Sequence, residues 1–557
     1  MTIDRATSQP DAIALRRPPE QVMRLARLGS AHPTRLSFLR VLLRRLKTEG
    51  WVCDRPVWDM DARGVGRAVY RVTGPERSYS LVAFAHDLPD HLRSDRVIAT
   101  AWDATFALFD GTPALVDLDR LAGNVPLQEA GRVTDRELTL SRANRSVRLF
   151  DHVIDRLAKG QQPDATKIEA VGYLMRTTAV YGSGKFGAAD RAAIANRPEL
   201  NAPFQAEMLT VWLIRAFTVD LVDHIAAAKG GDKAARLGKD LRNRLGVGNS
   251  TGLGMAPFVV RHPTLFNNWI MVREDALARV RAQPGADVEA IASLTNALQA
   301  AIQNAATWTS DHPLQIAKLA DLRGDLSRIA AHLQTWPAGD TPWNALWLWG
   351  AAALSLEGQE ALLALMLEPH GALIDELSHC MEADEQAVFA LDGSISIATF
   401  RSDLAARYSW ALAKAYDTPA NAARFWYVSE EKLEPRLGER FEEAGAELEQ
   451  PLDTGRMAAA LAQDLADWPG DQPLARFLLA HPEHRFMARR VQQSRSFPYA
   501  EIQDNLIAAD MLPIDILRCK LAFFGASHFD PRSDRWVRIA LFQGAPYPED
   551  LSTDMIP

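Results

Sequence analysis

Residues 205–228, QAEMLTVWLIRAFTVDLVDHIAAA, are apolar on nearly every face of a helix. A helix without a polar side has no surface to offer water, so other elements must enclose it. Its ionisable residues are informative for the same reason, because an unpaired buried charge is costly. Asp220, Asp223 and His224 fall on one side at about 100° per residue, while Glu207 and Arg215 lie elsewhere. The D-x-x-D-H spacing lacks a recognisable partner segment for a complete metal site. An ion-pair cluster near the helix end is the expectation, and no metal ligand is assigned.

Around this helix, 3.6-residue periodicity predicts helices at 20–29, 34–48, 114–122, 134–159, 165–179 and 232–245. Further helices are expected at 286–307, 313–335, 343–368, 371–382, 398–416, 419–446 and 456–467. Between Trp51 and Gly111 the period changes to two, with β-branched and aromatic residues bounded by Gly, Pro and Asp. Short connections there favour antiparallel pairing. Near the C-terminus, FFGASHFDPRSDRWVRIALFQG reads as two short strands about a turn. The expected fold class is therefore mainly α: a multi-helical array with a small N-terminal α+β region holding an antiparallel sheet, and a C-terminal hairpin. The expected divisions are a tail at 1–19, an α+β domain at 20–130, a helical core at 131–480 and a C-terminal helix and hairpin at 481–557.

Composition narrows the classes. A chain of 557 residues exceeds one simple core. With 47% hydrophobic and 24% charged residues it is globular rather than disordered. A net charge of −8 argues against a nucleic-acid partner. The three cysteines, Cys53, Cys380 and Cys519, form no CxxC pair and fit a reducing, cytoplasmic location. The N-terminus lacks the apolar core of a signal peptide, and no uncharged run reaches the roughly 18 residues needed for a membrane span. A homo-oligomer is compatible with all of this.

Several chemistries lack their motifs. YGSGKFG, residues 181–187, places Phe186 where a P-loop needs Ser or Thr. No GxGxxG opens a helix after a strand, and HExxH and GxSxG are absent. No cofactor is assigned.

Two glycine-rich stretches remain. In MRTTAVYGSGKFGAADR, a helix bearing Arg176 and Tyr181 is expected to run into a turn presenting Ser183 and Lys185, followed by Arg191. Glycines let backbone N–H groups approach an anion closely, and Arg176 or Arg191 can grip a carboxylate or phosphate bidentately. Tyr181 beside the Lys185 ammonium can act as a general acid or base. The plainer alternative is a helix cap followed by a solvated loop. In GVGNSTGLG, residues 246–254, a helix-ending turn is expected to offer Asn249, Ser250 and Thr251, against the alternative of a simple hinge. STGLGMAP lacks the serine pair of small-molecule kinase phosphate loops. It also lacks the lysine and asparagine that follow the mobile serine loop of fumarase- and aspartase-type enzymes, so no family is assigned. Beyond it lie Arg261, His262 and Asn267; His262 titrates nearest neutral pH.

The functional expectation is an enzyme acting on a small anionic metabolite, carboxylate or phosphate, by acid–base chemistry. A lyase or group transferase without a redox cofactor fits best. Tyr181, Lys185, His262 and Ser250 are its candidate catalytic residues. Arg176, Ser183, Arg191, Asn249, Thr251, Arg261 and Asn267 are its candidate binding residues. The competing expectation is a helical interaction or regulatory protein, with the arginine-rich helix at 35–47 or the charged helix at 424–445 as its partner surface.

Overall fold

The computed structural model describes residues 13–551 except 90, 92–100, 129, 179–195, 253–262, 311–312, 337–340, 382–389, 417, 419–425, 430–431, 438–453, 504–513 and 527–535. The chain forms two compact units, one of residues 37–250, 524–530 and 538–557, the other of 1–36, 251–523 and 531–537. Although helices predominate among the described residues, the first unit is organised by an eight-stranded mixed sheet, curled into a half-barrel.

Its strands are β1 (Val52–Met60), β2 (Gly66–Thr73), β3 (Ser78–Ala85), β4 (Ala104–Asp110), β5 (Glu137–Arg145), β6 (Tyr173–Thr178) and β7 (Gly246–Gly252). A separate antiparallel pair is made by β8 (Trp426–Ser429) and β9 (Lys432–Leu437). The eighth strand of the large sheet is β10 (Trp536–Leu541), which lies at the edge beside β7. From β1 to β6 each strand pairs antiparallel with the next, whereas β6 and β7 run parallel.

Helices in this unit include α1 (Phe38–Thr48), α2 (Leu115–Ala122), α3 (Phe150–Ala158) and α4 (Gln205–Gly230). The central helix α4 packs against β2 to β6, as its all-round apolarity requires. Phe217 of α4 meets Phe106 of β4 edge-on, with centroids 5.5 Å apart. The Thr210 and Thr139 hydroxyls hydrogen-bond at 2.7 Å on the same face. On the opposite face, Val69, Val82, Phe84, Ala107 and Leu140 pack with Leu118 and Leu121 of α2.

The expected mainly α array with a small N-terminal sheet is overturned by this sheet, whose strands come from residues 52 to 541. Three segments account for the difference. The stretch 134–159 is not one helix: ELTLSRANR alternates and forms β5 before α3 begins. The stretch 165–179 divides because Gly172, at φ +77°, ends the helix Ala165–Val171, and YLMRTT continues as β6. GVGNSTG is neither a turn nor a hinge but β7. At the C-terminus, Phe523 and Phe524 close a helix and β10 joins the large sheet, so the expected hairpin is not formed among the described residues. The segment 419–446, expected to be helical, contains the β8–β9 pair.

Helices of the second unit include α5 (Pro263–Arg281), α6 (Leu356–Leu367), α7 (Ile397–Leu412), α8 (Thr454–Leu465), α9 (Leu474–Ala480), α10 (Arg485–Ser496) and α11 (Ile514–Phe524). Its core is unusually charged. Arg17 is 3% exposed and grips both Glu274 oxygens at 2.7 Å, and its third nitrogen reaches Glu360 at 2.6 Å. Glu360 also accepts from Arg27 at 2.9 Å and from Arg273. Arg518 grips Glu357 bidentately at 2.7 Å, with Ser30 adding a hydroxyl at 2.9 Å. The short N-terminal helices are thereby tied to α6 by charge as well as by packing.

Candidate functional site

Alternation along β5 places Arg142 and Asn144 on one face, and pairing carries that face across the sheet. Arg142 stands opposite Thr105 of β4 and Thr178 of β6, and Asn144 stands opposite Arg176 of β6. Arg176 is in turn aligned with Gly248 of β7. This is the face away from α4, since Phe106 and Thr139 occupy the alternate positions.

The polar side chains here are largely enclosed. Arg176 is 8% exposed and Asn144 is 4% exposed. Asn144 Oδ1 accepts the Asp103 backbone N–H at 3.1 Å, and its Nδ2 has no partner among the described residues. The Arg142 guanidinium lies 4.4 Å from the Trp102 ring centroid, and burial lowers its pKa. Asp103, fully buried, accepts the Arg145 backbone N–H at 3.0 Å, and the Arg145 guanidinium lies 3.9 Å away. Burial is the main cause that holds His86 down to about 4; Asp103 opposes the shift and Arg145 adds to it. His86 is therefore a neutral imidazole at physiological pH.

On the same face a cavity of about 340 Å³ opens beneath α2, lined by Phe84, Thr105, Arg120, Leu121, Gln128 and Leu140 among others. Thr105 is in register with Arg142, so the cavity wall adjoins the arginine positions. A mostly apolar cavity with a few fixed polar groups is the usual form of a small-molecule site.

The glycines of β7 have packing reasons. A Cβ on Gly248 would fall 2.4 Å from the Tyr173 ring, and one on Gly246 would fall 2.4 Å from the Leu541 carbonyl oxygen. What β7 contributes is position. Because β6 and β7 are parallel neighbours, with Thr177 aligned to Asn249, their carboxyl ends lie at the same end of the sheet. In open sheets, ligands collect outside the carboxyl ends of parallel strands.

The sequence-predicted residues separate into three groups. Arg176 is in β6, not on a helix, and Asn249, Ser250 and Thr251 are in β7, not in a turn. Tyr181, Ser183, Lys185, Arg191, Arg261 and His262 lie outside the described residues. Asn267 belongs to the other unit, on α5, where it is 2% exposed. Its Oδ1 accepts the Tyr499 N–H at 2.9 Å and its Nδ2 donates to Asn268 at 3.2 Å, a packing role. Sequence reasoning missed Arg142 and Asn144, although the alternation Leu138, Leu140, Arg142, Asn144 was their signal. The D-x-x-D-H residues are held structurally. Asp220 accepts from Tyr70 at 2.5 Å and Arg55 at 2.7 Å, Asp223 accepts the Leu237 N–H at 3.0 Å, and a His224 ring nitrogen meets the Asp61 carbonyl at 2.8 Å.

Comparisons with protein families, with curated proteins and with solved structures give no match. Among the described residues, no helix is long and apolar enough to cross a membrane.

Proposed function

We propose that the chain is an enzyme that takes a small anionic metabolite, a carboxylate or phosphate, over the Arg142–Asn144–Arg176 face of the sheet. The observation that carries the reading is the parallel pairing of β6 with β7. It sets the carboxyl ends of β6 and β7 at one end of the sheet, beside arginine positions and near the cavity under α2. Arg142 and Arg176 supply fixed, permanently charged donors, and Asn144 Nδ2 supplies a neutral one. The apolar body of the metabolite fits the cavity. Acid–base chemistry of the lyase or group-transfer kind then falls to Tyr181 and Lys185 in the connection after β6, with Ser250 of β7 steadying developing charge.

Calorimetric titration with inorganic phosphate and with succinate tests the binding step. The wild-type chain should bind at least one of them, and Arg142→Ala and Arg176→Ala should each weaken it about tenfold or more, the worth of one charge-assisted bond. Arg176→Lys should recover only part of the loss, because an ammonium cannot make the bidentate contact. No binding by the wild type, or equal binding by both alanine variants with unchanged circular dichroism, would overturn the proposal.

A further inference from the structure

In the second unit, α7, α8, α9 and α10 share a core that includes Phe400, Leu404, Tyr408, Leu461, Phe477 and Val491. After α9 the chain reads His481-Pro482-Glu483-His484, makes a single 3₁₀ turn over Pro482–His484 and enters α10. The last full turn of α8 carries Asp464. One ligand atom from each of Asp464, His481, Glu483 and His484 lies within 4.8 Å of all the others.

The geometry points to a site for one divalent transition-metal cation of the Zn²⁺ class, held by Asp464, His481, Glu483 and His484. Two carboxylates and two neutral imidazoles balance a dication. Imidazole and carboxylate together suit Zn²⁺, Co²⁺ or Mn²⁺, whereas Ca²⁺ prefers six to eight oxygens, as a rule. Tetrahedral binding at about 2.0–2.1 Å requires donors roughly 3.3 Å apart. The His481 Nδ1–Glu483 and His484 Nε2–Asp464 pairs already stand at 3.2 and 2.7 Å. Each of these contacts needs a proton on the imidazole nitrogen that faces the carboxylate; with a cation bound there, the neutral ring would carry its proton on the other nitrogen instead.

The rings are oriented before any ion arrives. Phe477, fully buried, stacks on His481 with centroids 4.8 Å apart and on His484 at 5.7 Å, and Trp468 meets His481 edge-on at 5.9 Å. Behind Asp464, Arg401 donates to the carbonyls of Leu465, Ala466 and Trp468, which fixes the end of α8. Such outer contacts hold first ligands in place and limit the entropy lost on binding. An open cavity of about 610 Å³ lined by Gln463, Asp464, Asp467, Trp468 and Pro469 gives solvent access to the carboxylate side. The bound cation would clamp the end of α8 to the α9–α10 turn.

The test uses the full chain after dialysis against chelator, titrated with Co²⁺ and then Zn²⁺. One equivalent of Co²⁺ should give a visible ligand-field spectrum of four-coordinate intensity. Zn²⁺ should abolish that spectrum, and binding should raise Tm. His484 is 7% exposed, so its removal risks the fold; His481→Ala, Glu483→Gln and Asp464→Asn carry the comparison. Each should weaken Zn²⁺ binding at least tenfold with unchanged circular dichroism. Absence of the spectrum, or unchanged affinity in all three variants, would mean that the residues form ion pairs only.

Discussion

At the scale of single residues, burial has opposite consequences for a carboxylate ringed by arginines and for a lysine amine. Glu360 sits among Arg17, Arg27 and Arg273, which hold its carboxyl well below the usual range despite burial. A carboxylate so fully engaged has no capacity left for a ligand, and its role is to join the N-terminal segment to α6. Lys520 of α11 is different. It is 1% exposed, and burial alone lowers it from 10.5 to about 7. Between pH 7 and 10.5 the unfolded chain holds a proton on this amine that the native chain has released, so stability rises with pH through that window. Below it, both states are protonated and the full cost of burying the ammonium is present. Lys520→Met should therefore raise stability at pH 7 by a few kcal/mol and remove the rise toward pH 10. Urea denaturation at several pH values checks this, and parallel wild-type and variant profiles would refute it.

At the scale of elements, β7 shows how packing can imitate a binding motif. Gly246 faces a backbone carbonyl of the neighbouring strand, which cannot move aside, while Gly248 faces the Tyr173 ring, which can be trimmed. Gly248→Ala should cost about 1–3 kcal/mol and Gly246→Ala at least as much. Combining Gly248→Ala with Tyr173→Leu should recover part of the first loss, whereas the same second change should not help Gly246→Ala. Thermal denaturation of the two glycine variants, of Tyr173→Leu alone and of the two double variants measures both couplings, and equal couplings would refute the assignment. The same strand explains what could be read from sequence. Long amphipathic or all-apolar helices, such as Val288–Thr307 and α4, were legible because their periodicity is local. The antiparallel run in 51–112 was legible for the same reason. β5, β6 and β7 were not, because ELTLSRANR, YLMRTT and GVGNSTG become strands through neighbours distant in sequence. Arg176 was singled out, but for a helix–turn arrangement that β6 replaces. Arg142 and Asn144 were hidden by the helix expected over 134–159. The His481–His484 turn was not singled out from sequence, and Asp464, the fourth member of its cluster, comes from another helix.

At the scale of the whole chain, the sheet cannot be completed until residues near the C-terminus have joined it. β10 covers the edge of β7, and the residues after it secure α4. Trp212 donates to the Pro546 carbonyl at 2.9 Å, and Arg215 donates to Leu245 at 2.8 Å and Ala545 at 2.6 Å. The Tyr547 ring lies 3.8 Å from the Arg215 guanidinium and 4.3 Å from that of Arg242, and its hydroxyl donates to the Arg242 carbonyl at 3.0 Å. Arg215 is 1% exposed and its pKa is lowered by burial, so these carbonyls and this ring are what make its place in α4 tolerable. Tyr547→Phe should cost only about 1 kcal/mol, the worth of one hydrogen bond. Tyr547→Ala should cost about 3–5 kcal/mol, because it opens a cavity and uncovers the guanidinium together. Hydrogen exchange separates this from a local effect. In Tyr547→Ala, protection should fall along α4 and in β2 to β6, which pack on it, although those residues lie hundreds of positions away. Loss of protection confined to residues 538–551 would show that the C-terminal segment decorates the sheet rather than completing it.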